Sequence, residues 1–177
     1  MDPLAEFLSA QVARVEEDVR WGQLRFRVGS YLGERLPPLE LITSARAVVL
    51  REGSVLVVQD PTAVHILPGG RREAGETLHQ TLQREVLEET GWALDEPTLL
   101  GFKHFRHLQP EPAGYAHPYP DFFQAVYVAL ARSYDPGARE TDGYELGAGF
   151  RSLADVRRLD LPPNEQIFLR AALAWRA

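Results

Sequence analysis

Cysteine is missing from all 177 residues. Its absence removes disulfides, thiolate nucleophiles and sulfur metal ligands together, leaving carboxylates and imidazoles to hold any ion, which would then be a hard one. Basic residues are also in short supply: nineteen Lys and Arg against twenty-five Asp and Glu give a formal charge of −6. Such a balance offers no positive footprint for a nucleic-acid backbone, so no duplex partner is expected. Lysine occurs once, at Lys103, against eighteen arginines, a bias that reads as composition rather than mechanism. Long apolar runs are lacking as well. "MDPLAEFLSA" carries acidic residues and no continuous apolar stretch, which predicts neither a signal peptide nor a membrane anchor, and hence a cytoplasmic protein without a membrane partner.

Hydrophobic residues at 45% and charged residues at 25% are ordinary globular values. The length suits one domain with a terminal extension, divided as residues 1–42 and 43–177. In the extension Leu4, Phe7, Leu8, Val12, Val15 and Val19 recur at helical spacing, predicting an amphipathic helix over 3–20 with Asp2 as N-cap. "QLRFRV" at 23–28 then alternates like a strand. An apolar face on an isolated helix must be covered by its own domain or by a second copy, and the adjacent strand suits an intersubunit sheet. A homodimer is the expectation. Further on, "ARAVVL" and "SVLVVQD" flank "REG" as a hairpin, and "TLLGFKHFRHL" and "DFFQAVYVALA" read as strands around a proline-rich loop. "SLAD" opens a short helix, and "NEQIFLRAALAWRA" a terminal one with Asn164 as its N-cap.

The chemistry concentrates between residues 69 and 91. A glycine-rich loop, "HILPGGRREAGE", leads to a helix over 78–90, with Thr77 and Gln80 as a capping box and Gly91 as terminator. On that helix "REVLEE" sets Glu85, Glu88 and Glu89 within about a 100° sector of one face. Carboxylates so placed repel one another, with Arg84 as the one adjacent cation. A solvated charged face has this composition too. Gly69 and Gly70 add a close backbone approach, and a bare carbonyl joins carboxylates readily around Mg²⁺ or Mn²⁺.

Gly70, Glu76, Arg84, Glu85, Val86, Glu88, Glu89 and Gly91 resemble the Nudix box, G-x5-E-x7-R-E-U-x-E-E-x-G-U, with Trp92 in place of the final aliphatic residue. The resemblance implies an α/β/α sandwich around a mixed sheet and hydrolysis of a nucleoside diphosphate linked to another moiety, or of a nucleoside triphosphate. By the same resemblance Glu85, Glu88, Glu89 and the Gly69 carbonyl would bind metal and Arg84 would orient a glutamate. Glu76 would be structural, along with Gly70 and Gly91. A general base is expected either at Glu85 or in the loop "ARETDGYELGAGF", where Glu145 is favoured over Glu140 and Asp142 by its distance from "FRSL".

Substrate-contacting candidates are Tyr115 and Tyr119, which could stack on a nucleobase, and Asn164, placed where MutT-type enzymes read a base. For His104, His107 and His117 the spacing suits local hydrogen bonding rather than a metal, and His65 and His79 read as structural. Two further readings stand beside hydrolysis. One is a nucleotide-sensing domain without turnover, which intact glutamates argue against. The other is an isoprenoid-diphosphate isomerase on the same fold, which the absence of cysteine disfavours.

Overall fold

The computed structural model describes residues 3–140 and 145–175. Its elements are α1 (Pro3–Ser9), β1 (Val15–Trp21), β2 (Leu24–Leu32), β3 (Ile42–Arg51), β4 (Ser54–Gln59), β5 (Val64–His65) and β6 (Gly69–Arg71), followed by α2 (Leu78–Thr90), β7 (Trp92–Leu94), β8 (Thr98–His107), β9 (Asp121–Tyr134), β10 (Gly147–Ser152), α3 (Leu153–Val156) and α4 (Pro163–Ala174). The main sheet runs β1-β2-β8-β9-β3-β4-β10, with β5 on β4, β6 on β3 and β7 on β9. β3 and β9 are parallel and the other pairs antiparallel, which makes the sheet mixed.

Central strands buried on both faces need near-continuous apolar sequence, and "ARAVVL" supplies it. Ala45, Ala47 and Val49 face α2, where Leu78, Leu82 and Val86 pack on them. Val48 and Leu50 face the other way, toward Val156, Ile167 and Phe168 of α3 and α4. Helices thus cover both faces, giving the expected α/β/α sandwich. The hairpin between β3 and β4 turns at Glu52 and Gly53, both at positive φ (48° and 77°), as a two-residue turn with right-handed strand twist requires.

Helix α2 occupies the expected span. Thr77 accepts from the Gln80 backbone at 3.1 Å while the Gln80 side chain accepts from the Thr77 N–H at 2.9 Å, and Gly91 closes the helix at φ 78°. Ser152 caps α3 by accepting from the Asp155 N–H.

The N-terminal segment departs from expectation. Its helix ends at Ser9, and residues 15–21 form a strand instead. Val12 stands 75% exposed between them. Leu4, Phe7 and Leu8 carry the helical periodicity; "VEEDVRW" alternates, and two-residue pairing with β2 outweighs the 3.6-residue pattern that Val15 and Val19 also satisfy. Asp2, the expected cap, lies outside the described residues, as does Asp142. β2 is paired on both sides, by β1 and by β8, so "QLRFRV" is not free for an intersubunit sheet. Phe7 packs on its own domain, its ring centroid 5.4 Å from that of Phe102. The helix thus rests on its own domain through Phe7, with Leu4 and Leu8 packed in part beside it. Asn164 is corrected too. Pro162 is the N-cap of α4, and Asn164 lies inside the first turn with its side chain turned to the sheet.

Because Phe7 is the buried anchor of a seven-residue helix too short to hold alone, Phe7→Ala is expected to cost about 3 kcal/mol of unfolding free energy in urea denaturation. A change under about 0.5 kcal/mol would mean that α1 contributes nothing to the core.

Candidate active site

Two chain segments meet at the site because glycine lets them. β6 pairs antiparallel with β3, opposing Ala45 to Gly70 and Arg46 to Gly69. At Gly69 φ is 131°, and an added Cβ would strike the Ala45 carbonyl; at Gly70 it would strike the Glu85 carboxylate. Any side chain here would push the loop off the strand or the glutamate off the loop. With both glycines in place, the Gly69 N–H donates to Glu89 Oε2 at 2.9 Å.

Arg84 organises the carboxylates. Its Nε and Nη2 donate to the two oxygens of Glu76 at 2.6 and 3.0 Å, while Nη1 reaches Glu85 at 2.9 Å and Glu88 at 3.2 Å. Nη2 also donates to the Arg71 carbonyl at 3.0 Å. The Glu76 carboxylate further accepts from the Thr81 hydroxyl and the Glu73 N–H. Charge-assisted bidentate pairing of this kind is short and directional. The Arg84 guanidinium holds Glu76 down to about 2, well below the usual 4.5, and Glu76 in turn raises Arg84 further.

Glu85 and Glu89 behave oppositely. Burial pushes Glu85 up, against the pull of Arg84. Glu89 is pushed up to about 8, first by burial, with smaller contributions from Glu145 and Glu85, and against the Gly69 N–H and Arg46. Among the described residues no three carboxylate or imidazole side chains gather closely enough to coordinate one ion. The donor chemistry nevertheless suits a hard divalent cation: the groups are oxygens, they repel, and a cation would relieve both the repulsion and the desolvation of Glu89.

A cavity of about 900 Å³ opens beside Glu89, lined also by Arg46, Lys103, Glu145, Asn164 and Glu165. Glu145 thus faces the space that Glu89 faces, whereas Glu140 is exposed, its N–H donating to the Glu88 carbonyl at 2.9 Å. Arg139 ties this loop to the helix end through the Glu89 carbonyl and the Glu145 carbonyl, at 3.2 and 3.3 Å.

Asn164 is committed on both sides: its Oδ1 accepts from Lys103 Nζ at 2.8 Å and its Nδ2 donates to Glu17. Glu165, beside it, accepts from the Ile66 N–H at 2.9 Å. Tyr119 spends its hydroxyl on the Gln109 carbonyl, and Tyr115 pairs with His107 Nε2 at 2.9 Å. These bonds hold the hydroxyls, while Tyr115 also lines a second cavity. The histidines pair locally: His104 with Asp121 at 2.7 Å and His79 with Glu96 at 2.8 Å. His65 lines the cavity, lowered to about 4 by burial and by Arg46.

Lys103, Arg46, Gln124 and Glu17 were not read as site residues from the sequence. For Lys103 and Gln124 a signal was present, a long polar residue inside a largely apolar buried strand, as in "GFKHF" and "DFFQAVYV"; Glu17, in the charged strand "VEEDVRW", carried none. Lys103 in particular is buried and lowered to about 8 by that burial, so the single lysine has a specific place in the cavity.

This fold and this loop-and-helix site define a Nudix protein. Residues 41–174 match the family model for the NUDIX domain, and the chain belongs to that family. It is similar to the NAD-capped RNA hydrolase NudC of Escherichia coli O157:H7, at 33% identity over 101 residues that make up 55% of this chain and 34% of that protein. The chain thus spans about a third of the length of the curated relatives it matches. Among solved structures it is similar to a NUDIX hydrolase from Nitrosomonas europaea (TM-score 0.58, 24% identity, 76% of this chain and 90% of that one). It is also similar to a MutT NUDIX hydrolase from Burkholderia pseudomallei (TM-score 0.53, 26% identity, 72% and 95%).

The raised Glu89 carboxyl has a consequence for stability. The folded protein keeps a proton that the unfolded chain releases near 4.5, so this group favours the fold fully below that value, and the advantage is lost as pH rises through about 8. Metal-free protein is expected to lose thermal stability as pH rises from about 4.5 to about 8, and Glu89→Gln to flatten the decline. An unchanged slope in the variant would place the titrating group elsewhere.

Proposed function

We propose that this chain is a pyrophosphohydrolase that cleaves a phosphoanhydride bond in a nucleoside diphosphate derivative or a nucleoside triphosphate, using Mg²⁺ or Mn²⁺. The observation that carries the reading is the meeting of Glu85 and Glu89 with the Gly69–Gly70 backbone, where Glu89 also lines the 900 Å³ cavity. Membership of the Nudix family and the NAD-capped RNA hydrolase among its relatives support the same reaction class. Residues 43–177 would form the hydrolase proper, with 1–42 supplying part of the cavity wall.

Glu85, Glu88, Glu89 and the Gly69 carbonyl would hold the cation, which would offset the diphosphate charge and make phosphorus more electrophilic. Arg84, fixed by Glu76, keeps Glu85 and Glu88 aimed and limits their repulsion. Arg46 and Lys103 bring positive charge to the cavity where phosphate oxygens would lie. Glu145 would take a proton from the attacking water; that it borders the same cavity as Glu89 and carries no side-chain hydrogen bond among the described residues supports the role. Water attacks directly and no covalent enzyme intermediate is needed.

A substrate panel of nucleoside triphosphates and nucleoside diphosphate derivatives, read by phosphate and pyrophosphate release with Mg²⁺ and Mn²⁺, tests the activity. Glu145→Gln is expected to lower kcat by about 10² or more at saturating metal, and Glu140→Gln by far less. A silent Glu145→Gln, with a large loss in Glu85→Gln that leaves metal affinity intact, would move the base to the helix. No turnover of any substrate by the unaltered protein would sink the hydrolase reading and favour a sensor.

A further inference from the structure

The sheet face opposite α2 carries a buried polar row. Ser44 on β3 opposes Gln124 on β9, which opposes Lys103 on β8, which opposes Ser30 on β2. Directly paired residues share a face, so the four line up across four adjacent strands. All are more than nine-tenths buried, and polar groups so placed almost always find partners. Here Lys103 has Asn164, but the Ser30 and Ser44 hydroxyls have no hydrogen-bond partner. The Gln124 amide makes no side-chain hydrogen bond among the described residues either.

Ser44 and Gln124 border a second cavity, of about 600 Å³, which shares Arg46, Trp21 and Gln124 with the first. Its volume lies in the range of about 300–1,000 Å³ that small-molecule sites occupy. Arg71, the residue after Gly70, lines it, and Arg46 lines both cavities, so positive charge runs from the glutamates into this space. Aromatic rings contribute much of the rest of the wall. Phe26, Phe122 and Tyr115 line it beside Leu24, Pro112 and His117, and Trp21 borders both cavities. The Trp21 ring packs on Phe26 and Phe105 at 5.0 and 4.9 Å between centroids, yet 44% of the residue stays exposed. An indole held by its neighbours and left open to a cavity is a stacking surface.

We propose that the 600 Å³ cavity is the ring-binding subsite of this enzyme: a nitrogen heteroaromatic ring of the substrate stacks on Trp21, and its donor–acceptor edge pairs with Ser44 and Gln124. The proposal rests on the pyrophosphohydrolase reading for the phosphates alone. It follows from which polar groups are spent and which are free. Asn164, the residue expected to read a base, has its amide used by Lys103 and Glu17. A hydroxyl and an amide can each donate and accept, so the unpaired Ser44 and Gln124 match a ring edge with an adjacent donor and acceptor. Trp21 lies in β1, outside residues 41–174 that match the family model, so the stacking surface comes from the N-terminal hairpin while the edge-reading Ser44 and Gln124 come from the matched domain.

The test is binding, without turnover. In a Trp92→Phe, Trp175→Phe background Trp21 is the sole tryptophan of the three in the chain, and its emission is titrated with adenosine 5′-monophosphate and with ribose 5-phosphate. Saturable quenching by the nucleotide and none by the ringless phosphate is expected. Ser44→Ala is expected to weaken nucleotide binding by about tenfold while leaving ribose 5-phosphate binding, read by calorimetry, unchanged. That substitution deletes a partnerless hydroxyl, so the fold should not suffer. Equal quenching by both ligands, no quenching by the nucleotide, or Ser44→Ala with higher stability and unaltered affinity would each overturn the subsite. Hydrolysis with Trp21 emission unmoved would fail this proposal alone; ring-dependent quenching without hydrolysis would fail only the hydrolase reading.

Discussion

The pairing of Arg84 with Glu76 is the interaction on which the site depends. Helix α2 carries three glutamates in five positions, and without a counter-charge they would splay into solvent or unwind the last turns. Arg84 prevents this only because its own direction is set. Two of its nitrogens are spent on Glu76, and Glu76 is fixed by Thr81 and by the loop N–H of Glu73. The guanidinium's remaining donor then divides between Glu85 and Glu88. A lysine, a point charge without the fork, could neutralise the cluster but could not hold three carboxylates at set angles. Glu89 is left outside this network, with the Gly69 N–H as its one side-chain hydrogen bond among the described residues, and burial pushes its carboxyl up against that bond and the Arg46 charge.

That division explains why the glycines matter as much as the acids. Arg84 also binds the Arg71 carbonyl, so the helix is tied to the loop at the residue after Gly70. The loop in turn lies on β3 at van der Waals contact, which only a missing side chain at Gly69 permits. Strand, loop and helix therefore form one rigid unit in which a backbone and two buried-side carboxylates share a small volume. Such a unit holds mutually repelling carboxylates in a preset arrangement, and under the function proposed above a bound cation would relieve that repulsion.

Much of this was legible in the sequence because local chemistry is encoded locally. The box spacing, the Thr77–Gln80 cap and the Gly91 stop are all contacts within a few residues, and each stands where the sequence places it. The sandwich was legible too, from continuous apolar strands and two capped helices. What was hidden depends on long-range pairing. Val15 and Val19 satisfy a helical pattern as well as a strand pattern, and only the partner strand β2 decides between them. Asn164 beside a helix start reads as a cap until Pro162 takes that place and Lys103, distant in sequence, claims its amide. The lone lysine looked compositional because nothing near it in sequence is acidic; its partners, Asn164 and the nearby Glu165 charge, come from α4.

The chain Glu17–Asn164–Lys103 links the N-terminal hairpin, the last helix and the sheet through one buried amide. Lys103 is buried far enough that its ammonium is destabilised, and the Glu165 and Glu17 charges oppose that loss. Such a network is costly to half-satisfy, so removing β1 would leave Asn164 and Lys103 short of a partner as well as uncovering Phe26 and Phe105. The hairpin is therefore no ornament on a finished domain. It completes the cavity wall with Val19 and Trp21, and it supplies the carboxylate that lets a lysine sit beneath the cavity floor. The carboxylates sit on α2 beside the glycine loop, within residues 41–174 that match the family model, whereas Val19, Trp21 and Val28 bring to the cavity wall a contribution from outside that match, where side chains can change without disturbing the carboxylates.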